Sequence, residues 1–232
     1  MNQPTKRRLA GLDVYQIGNE PKAPYVILFH GYGANAFDLM PLSQALLSNC
    51  KVNWLFPDGC IDVDLGYGMM GKAWFQIDVV ALQEAMMRGE YRDLSQGLPD
   101  GFERARELGQ NMLAELNIPM GQIVLGGFSQ GSMLATALAL QAAKPAAGLV
   151  ILSGTLIDES NLRKIAKRRE GMPFFQSHGS SDPLLPHAAA QKLHQILSDA
   201  GLAGEWHGFQ GGHEIPQNVL LQLNAFLERV AG

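Results

Sequence analysis

Ser129 stands in the pentapeptide Gly127-Phe128-Ser129-Gln130-Gly131, between the aliphatic run Ile123-Val124-Leu125 and an alanine- and leucine-rich stretch from Ser132 to Lys144. A G-x-S-x-G spacing of this kind puts a serine on a sharp strand-to-helix turn, where glycines on either side let neighbouring elements close in. The chemistry available there is nucleophilic attack on an acyl carbonyl, with a covalent acyl-enzyme as intermediate. The following helix would aim unpaired N–H groups and partial positive charge at the oxyanion that forms. Gln130 supplies one backbone N–H by its position after the serine. A second donor is expected from the loop after an earlier strand, and Phe29-His30-Gly31-Tyr32-Gly33 fits, with the Tyr32 N–H turned inward.

A serine hydroxyl needs a base, and the base needs an orienting acid; on this turn type both lie downstream, acid first. His213 follows Gly211-Gly212, just beyond the last aliphatic or aromatic run. The other five histidines fit other roles. His30 falls in the oxyanion loop, His187 and His194 on a helix, His207 inside a strand, and His178 in a turn before the proposed acid. Asp182, held between a strand and Pro183, is the acid that would orient the imidazole and stabilise its charged form. Asp158 reads instead as a helix cap, and Asp199 falls in the last turn of a helix.

Such a set works only if strands and helices alternate, so that each group sits at the end of a strand. Strands are predicted at 26–29, 52–56, 123–125, 149–152, 173–177 and 205–209, with a weaker leading one at 13–17. Helices are predicted at 37–48, 101–116, 130–144, 159–167, 187–200 and 216–230. This order implies an α/β fold with a mainly parallel sheet covered on both faces, here the α/β-hydrolase arrangement in one domain spanning 1–232. The helix after Ser129 is apolar nearly all round, which implies central burial. From Cys60 to Pro99 the pattern fails, and an inserted loop with short helices is expected there.

Composition narrows the classes. The 232 residues are 47% hydrophobic and 17% charged, enough to bury a large core, and the net charge of −4 provides no basic face for nucleic acid. No apolar run reaches the roughly 18 residues of a membrane span. The opening MNQPTKRRLAG lacks the apolar stretch of a secretory signal, so a cytoplasmic location is expected. Cys50 and Cys60 lack metal-ligand spacing and read as reduced packing residues. Lys164, Lys167, Arg168 and Arg169 read as a solvated helix face.

Taken together, His30-Gly31-Tyr32-Gly33, Trp74-Phe75, Gly127 to Gly131, His178-Gly179-Ser180-Ser181-Asp182-Pro183 and Gly212-His213-Glu214 resemble the phospholipase/carboxylesterase family, which includes acyl-protein thioesterases and small bacterial carboxylesterases. The resemblance implies Ser129 as nucleophile, His213 as base, Asp182 as acid, and the Tyr32 and Gln130 N–H groups as oxyanion hole. It also implies hydrolysis of carboxylic esters, lysophospholipids or fatty-acyl thioesters without a cofactor or metal. Two departures stand out: Tyr32 replaces the usual leucine, and Gly33-Ala34-Asn35 lacks the usual aspartate after the second glycine. The oxyanion donor is a backbone group, so Tyr32 affects the acyl entrance rather than the reaction.

Substrate choice is expected to lie in the irregular segment, where Leu65, Met69, Met70, Trp74 and Phe75 would line an apolar groove; methionine adapts to varied acyl chains. Gly66, Gly68, Gly71 and Gly89 around that cluster motivate a mobile lid. The partner expected is an acyl ester or thioester, small or lipidic, with transient contact at a membrane surface and a monomeric or homodimeric chain. The competing classes are an acyltransferase that uses the same serine but excludes water, and a non-catalytic acyl-binding protein on the same scaffold.

Overall fold

The computed structural model describes residues 3–47, 50–88, 90–91 and 93–232. Its centre is an eight-stranded sheet of β1 (Thr5–Leu9), β2 (Leu12–Ile17), β3 (Tyr25–Phe29), β4 (Asn53–Pro57), β7 (Ile123–Phe128), β8 (Gly148–Leu152), β9 (Pro173–Gly179) and β10 (Ala203–Phe209). The spatial order is β1-β2-β4-β3-β7-β8-β9-β10, and β5 (Ile61–Asp64) and β6 (Met70–Ala73) form a separate two-stranded sheet. From β4 to β10 all neighbours run parallel, whereas β1 and β2 pair antiparallel with each other and β2 pairs antiparallel with β4. This mainly parallel sheet is the α/β-hydrolase arrangement that the order of elements implies.

Alternation along the central strands divides the core in two. Ile27, Phe29, Leu125, Leu149 and Ile151 face one side, where they pack with α4 (Phe102–Leu116), α5 (Gln130–Gln141), α6 (Glu159–Ala166) and α7 (His187–Asp199). Val26, Leu28, Val124, Val150 and Leu152 face the other, against α1 (Ala36–Leu39), α2 (Leu42–Ala45) and α8 (Gln217–Ala231). Burial on both faces is why these strands are continuous apolar runs rather than alternating ones. The helix that follows Ser129, α5, is buried at ten of its twelve positions, from Gln130 to Leu140.

One expected element is corrected and two unforeseen ones appear. The predicted helix at 37–48 is two single turns, α1 and α2, because Pro41 has no N–H to continue the ladder; Ser48 lies outside the described residues. The charged segment Thr5–Leu9 is a strand, β1, at the sheet edge, where its outward face stays wet. The irregular segment contains the β5–β6 hairpin as well as α3 (Val79–Met87). Arg169 also departs from the solvated face expected of its basic neighbours. It is buried, and its guanidinium donates to the carbonyls of Ala139 and Ala142 at the C-terminus of α5, satisfying end groups that the helix cannot pair itself. Asp158 holds the N-cap position of α6 at φ 43°, without a side-chain bond to a helix N–H.

Candidate active site

The turn between β7 and α5 holds Ser129 at φ 53°, ψ −120°, a conformation that L-residues rarely adopt. The two bracketing glycines explain how it is held. A Cβ on Gly127 would lie 2.5 Å from the Gly131 carbonyl carbon and 2.6 Å from the Phe29 oxygen, and one on Gly131 would lie 2.0 Å from that same oxygen. Only glycine lets α5 approach β3 this closely. The Ser129 N–H bonds the Leu152 carbonyl at 2.8 Å, which anchors the turn to β8.

Asp182 and His213 come together at the same edge of the sheet, after β9 and β10. His213 Nδ1 lies 2.7 Å from Asp182 Oδ2. The carboxylate's other oxygen accepts the N–H groups of Leu184 and Leu185 at 2.9 and 3.0 Å. Burial pushes the Asp182 carboxyl up, but the His213 and backbone hydrogen bonds outweigh it and leave the group below its usual range. It is therefore ionised near neutral pH, and it orients the imidazole through Nδ1 so that Nε2 is the nitrogen left for proton transfer. The two loops are also tied directly, by Ser180 N–H to Phe209 O at 2.8 Å and Ser181 N–H to Gly211 O at 3.0 Å. Gly179 is required there, since a Cβ would lie 2.2 Å from the Gly212 oxygen.

A cavity of about 270 Å³ opens at this edge, and Ser129, His213, Tyr32 and Gln130 all line it. Neither the Tyr32 N–H nor the Gln130 N–H has an acceptor among the described residues. Phe75, Ile77, Leu82, Leu94, Pro99, Phe128, Met133, Leu184 and Leu185 supply most of the remaining wall. Of the five residues expected to line an acyl groove, Phe75 is the one at this cavity. Trp74 is buried, 1% exposed, while Leu65, Met69 and Met70 are exposed on the β5–β6 hairpin and do not line the cavity. Leu65 and Met69 fall in the turn between β5 and β6 and Met70 opens β6, whereas Trp74 and Phe75 follow β6 into the core.

The hairpin instead braces the loop after β3. Gly33 N–H donates to Lys72 O at 2.9 Å and Lys72 N–H to Ala34 O at 2.7 Å. Gly71 permits this approach, for a Cβ would fall 2.0 Å from the Gly33 oxygen. Gly66 and Gly68 serve the hairpin turn at φ 82° and 76°, and Gly89 lies outside the described residues. Two groups that sequence reasoning left with lesser roles complete the support. The wholly buried His30 accepts the Gly59 N–H on Nε2 at 2.9 Å, so Nδ1 carries the proton and donates to Gly31 O at 2.7 Å. The wholly buried Gln130 side chain accepts the Trp74 N–H and donates to Phe75 O, both at 2.8 Å. The loop after β3, the turn at Ser129 and the segment that forms the cavity wall are thus one hydrogen-bonded unit.

Two of the buried histidines make the fold sensitive to acid. Burial pushes His30 below its ordinary value of 6.5, against the opposing hydrogen bond to Gly31, and burial lowers His178 likewise. His178 Nε2 lies 3.1 Å from Leu185 O and 3.3 Å from Asp182 Oδ2, while its Nδ1 is buried with no partner among the described residues. The unfolded chain binds protons at these sites from about pH 6.5 downward, and the folded chain binds them only at lower pH. Stability therefore falls as pH drops through 6.5 and keeps falling until the folded values are reached. Asp182 acts in a separate window, below the ordinary carboxyl value of 3.8. Calorimetric melting should show a lower Tm at pH 5 than at pH 7.5, and replacing His178 with Phe should reduce that difference.

Acyl-protein thioesterase 1 from Cryptococcus neoformans var. neoformans serotype D is 29% identical to this chain over 175 residues, covering 74% of it and 71% of that protein. Acyl-protein thioesterase 1 from Candida albicans is 25% identical over 228 residues, covering 92% and 94%. Among solved structures, esterase PE8 superposes with a TM-score of 0.77 at 24% identity, over 98% of this chain and 99% of that one. The phospholipase/carboxylesterase family model matches residues 12–231, nearly the whole length over which the strands, the elbow and the two loops have been described, and the chain belongs to that family.

Proposed function

We propose that this chain hydrolyses carboxylic esters and thioesters through an acyl-enzyme on Ser129. The observation that carries the reading is the constellation at one cavity: a serine held at φ 53° on a glycine-bracketed turn, and a histidine 2.7 Å from a buried, ionised aspartate. Ser129 Oγ attacks the acyl carbonyl while His213 Nε2 takes its proton. The Tyr32 and Gln130 N–H groups receive the oxyanion; losing one such donor costs on the order of 3 kcal/mol of transition-state stabilisation. His213 returns the proton to the leaving alcohol or thiol, then activates water for the second half of the reaction. The apolar wall from Phe75 to Pro99 takes the acyl group, and the thioesterase and carboxylesterase names of the relatives support that substrate class. Among the described residues no helix is long and apolar enough to cross a membrane, which fits substrates met from the aqueous side.

The test is covalent. A fluorophosphonate should label the chain once, on the peptide carrying Ser129, and p-nitrophenyl acetate and an acetyl thioester should both be turned over with competition between them. A label on any other residue, or no label on the folded chain, overturns the reading.

A further inference from the structure

Two cavities meet at one side chain. The first is the space beside Ser129. The second, about 40 Å³, lies between α4, α5 and α6 and is walled by Phe102, Ala137, Ile157, Leu162 and Ile165. Among the described residues, Met133 is the one that borders both. It is 6% exposed and stands four residues after Ser129 on α5, on the same helix face and roughly 6 Å further along the axis.

The first cavity has both polar and apolar lining: Tyr32, Asp38 and His213 are among the polar side chains, and Phe75, Ile77, Leu82, Leu94 and Met133 are among the apolar ones. An acyl chain is accommodated against the apolar side chains, Met133 among them. We propose that Met133 is the end wall of the acyl site and sets the longest acyl chain this enzyme accepts, dividing that site from the cavity between α4 and α6. This rests on the reading of Ser129 as the nucleophile. The second cavity reaches the surface beside the exposed Leu98 and Glu103, so opening the wall would join Ser129 to a second mouth rather than to a sealed void. A thioether with three rotatable bonds suits such a partition, because it fills an irregular gap without strain.

The experiment compares kcat/KM for p-nitrophenyl esters of two to twelve carbons in the wild-type chain, Met133→Ala and Met133→Phe. In the wild type, kcat/KM should rise by about fourfold per buried methylene up to a break, beyond which it falls. Met133→Ala should move the break to chains longer by at least two methylenes, and Met133→Phe should move it to shorter ones. A break at the same length in all three proteins, or a uniform loss at every length, overturns the wall. Should the alanine variant fail to fold, the Phe variant tests the same prediction in the opposite direction. Absence of hydrolysis of even the two-carbon ester by the folded wild type would instead overturn the hydrolase reading itself.

Discussion

Replacing Ser129 with alanine should lower kcat for a short-chain aryl ester by about 10⁴- to 10⁶-fold and abolish fluorophosphonate labelling, with little change in Tm. The size follows from the loss of the only atom that can form the acyl-enzyme; what remains is the oxyanion hole and binding. The fold should survive because the position is held through its backbone, by the bond from Ser129 N–H to Leu152 O, and through the two glycines beside it. Alanine meets the same penalty at φ 53° as serine does. Neither nearby hydroxyl is free to substitute: Ser132 Oγ donates to Ser129 O at 2.7 Å and Ser153 Oγ to Glu214 O at 3.1 Å. Steady-state kinetics beside a melting curve checks both halves, and a well-folded variant that retains even a tenth of wild-type turnover sinks the assignment.

Gly131→Ala should be as damaging to the fold as Ser129→Ala is to the reaction. The added Cβ would lie 2.0 Å from the Phe29 oxygen, 2.4 Å from its carbonyl carbon and 2.5 Å from the His30 oxygen. All three are backbone atoms, so no rotamer change relieves the clash; α5 must move away from β3 or the chain must fail to fold. A cost above about 4 kcal/mol is expected, which in a chain of this size lowers Tm by roughly 10 °C or more, or leaves the protein insoluble. Gly121→Ala is the control, because a Cβ there meets nothing within 4 Å. Equal melting temperatures for the two variants would show that the approach of α5 to β3 is not the constraint described above.

What the sequence revealed and what it concealed divide along physical lines. The parallel strands were legible because burial on both faces demands runs such as Ile123-Val124-Leu125, and the elbow was legible because close backbone approach admits only glycine at Gly127 and Gly131. The placement of Asp182 and His213 at strand ends followed from the same reading. The β5–β6 hairpin was hidden because Ile61-Asp62-Val63-Asp64 is short and half-wet, with no apolar run to announce it. That omission misplaced Leu65, Met69 and Met70, whose apolar character reads alike whether it faces a cavity or solvent. Local pattern was equally silent on the Gln130 side chain, whose partners at Trp74 and Phe75 lie more than fifty residues away in sequence.

That segment has a consequence for how such an enzyme diversifies. A few neighbouring positions serve two masters: Lys72 and Trp74 bond to the loop after β3 and to Gln130, while Phe75, Gln76 and Ile77 line the cavity beside Ser129. Sequence drift that reshapes the wall for a new substrate would therefore also displace the loop and turn that carry the proposed oxyanion donors. Descendants with altered selectivity should arise first through residues outside this strip, such as Leu82, Leu94 and Met133, where the wall can change while the donors stay in register.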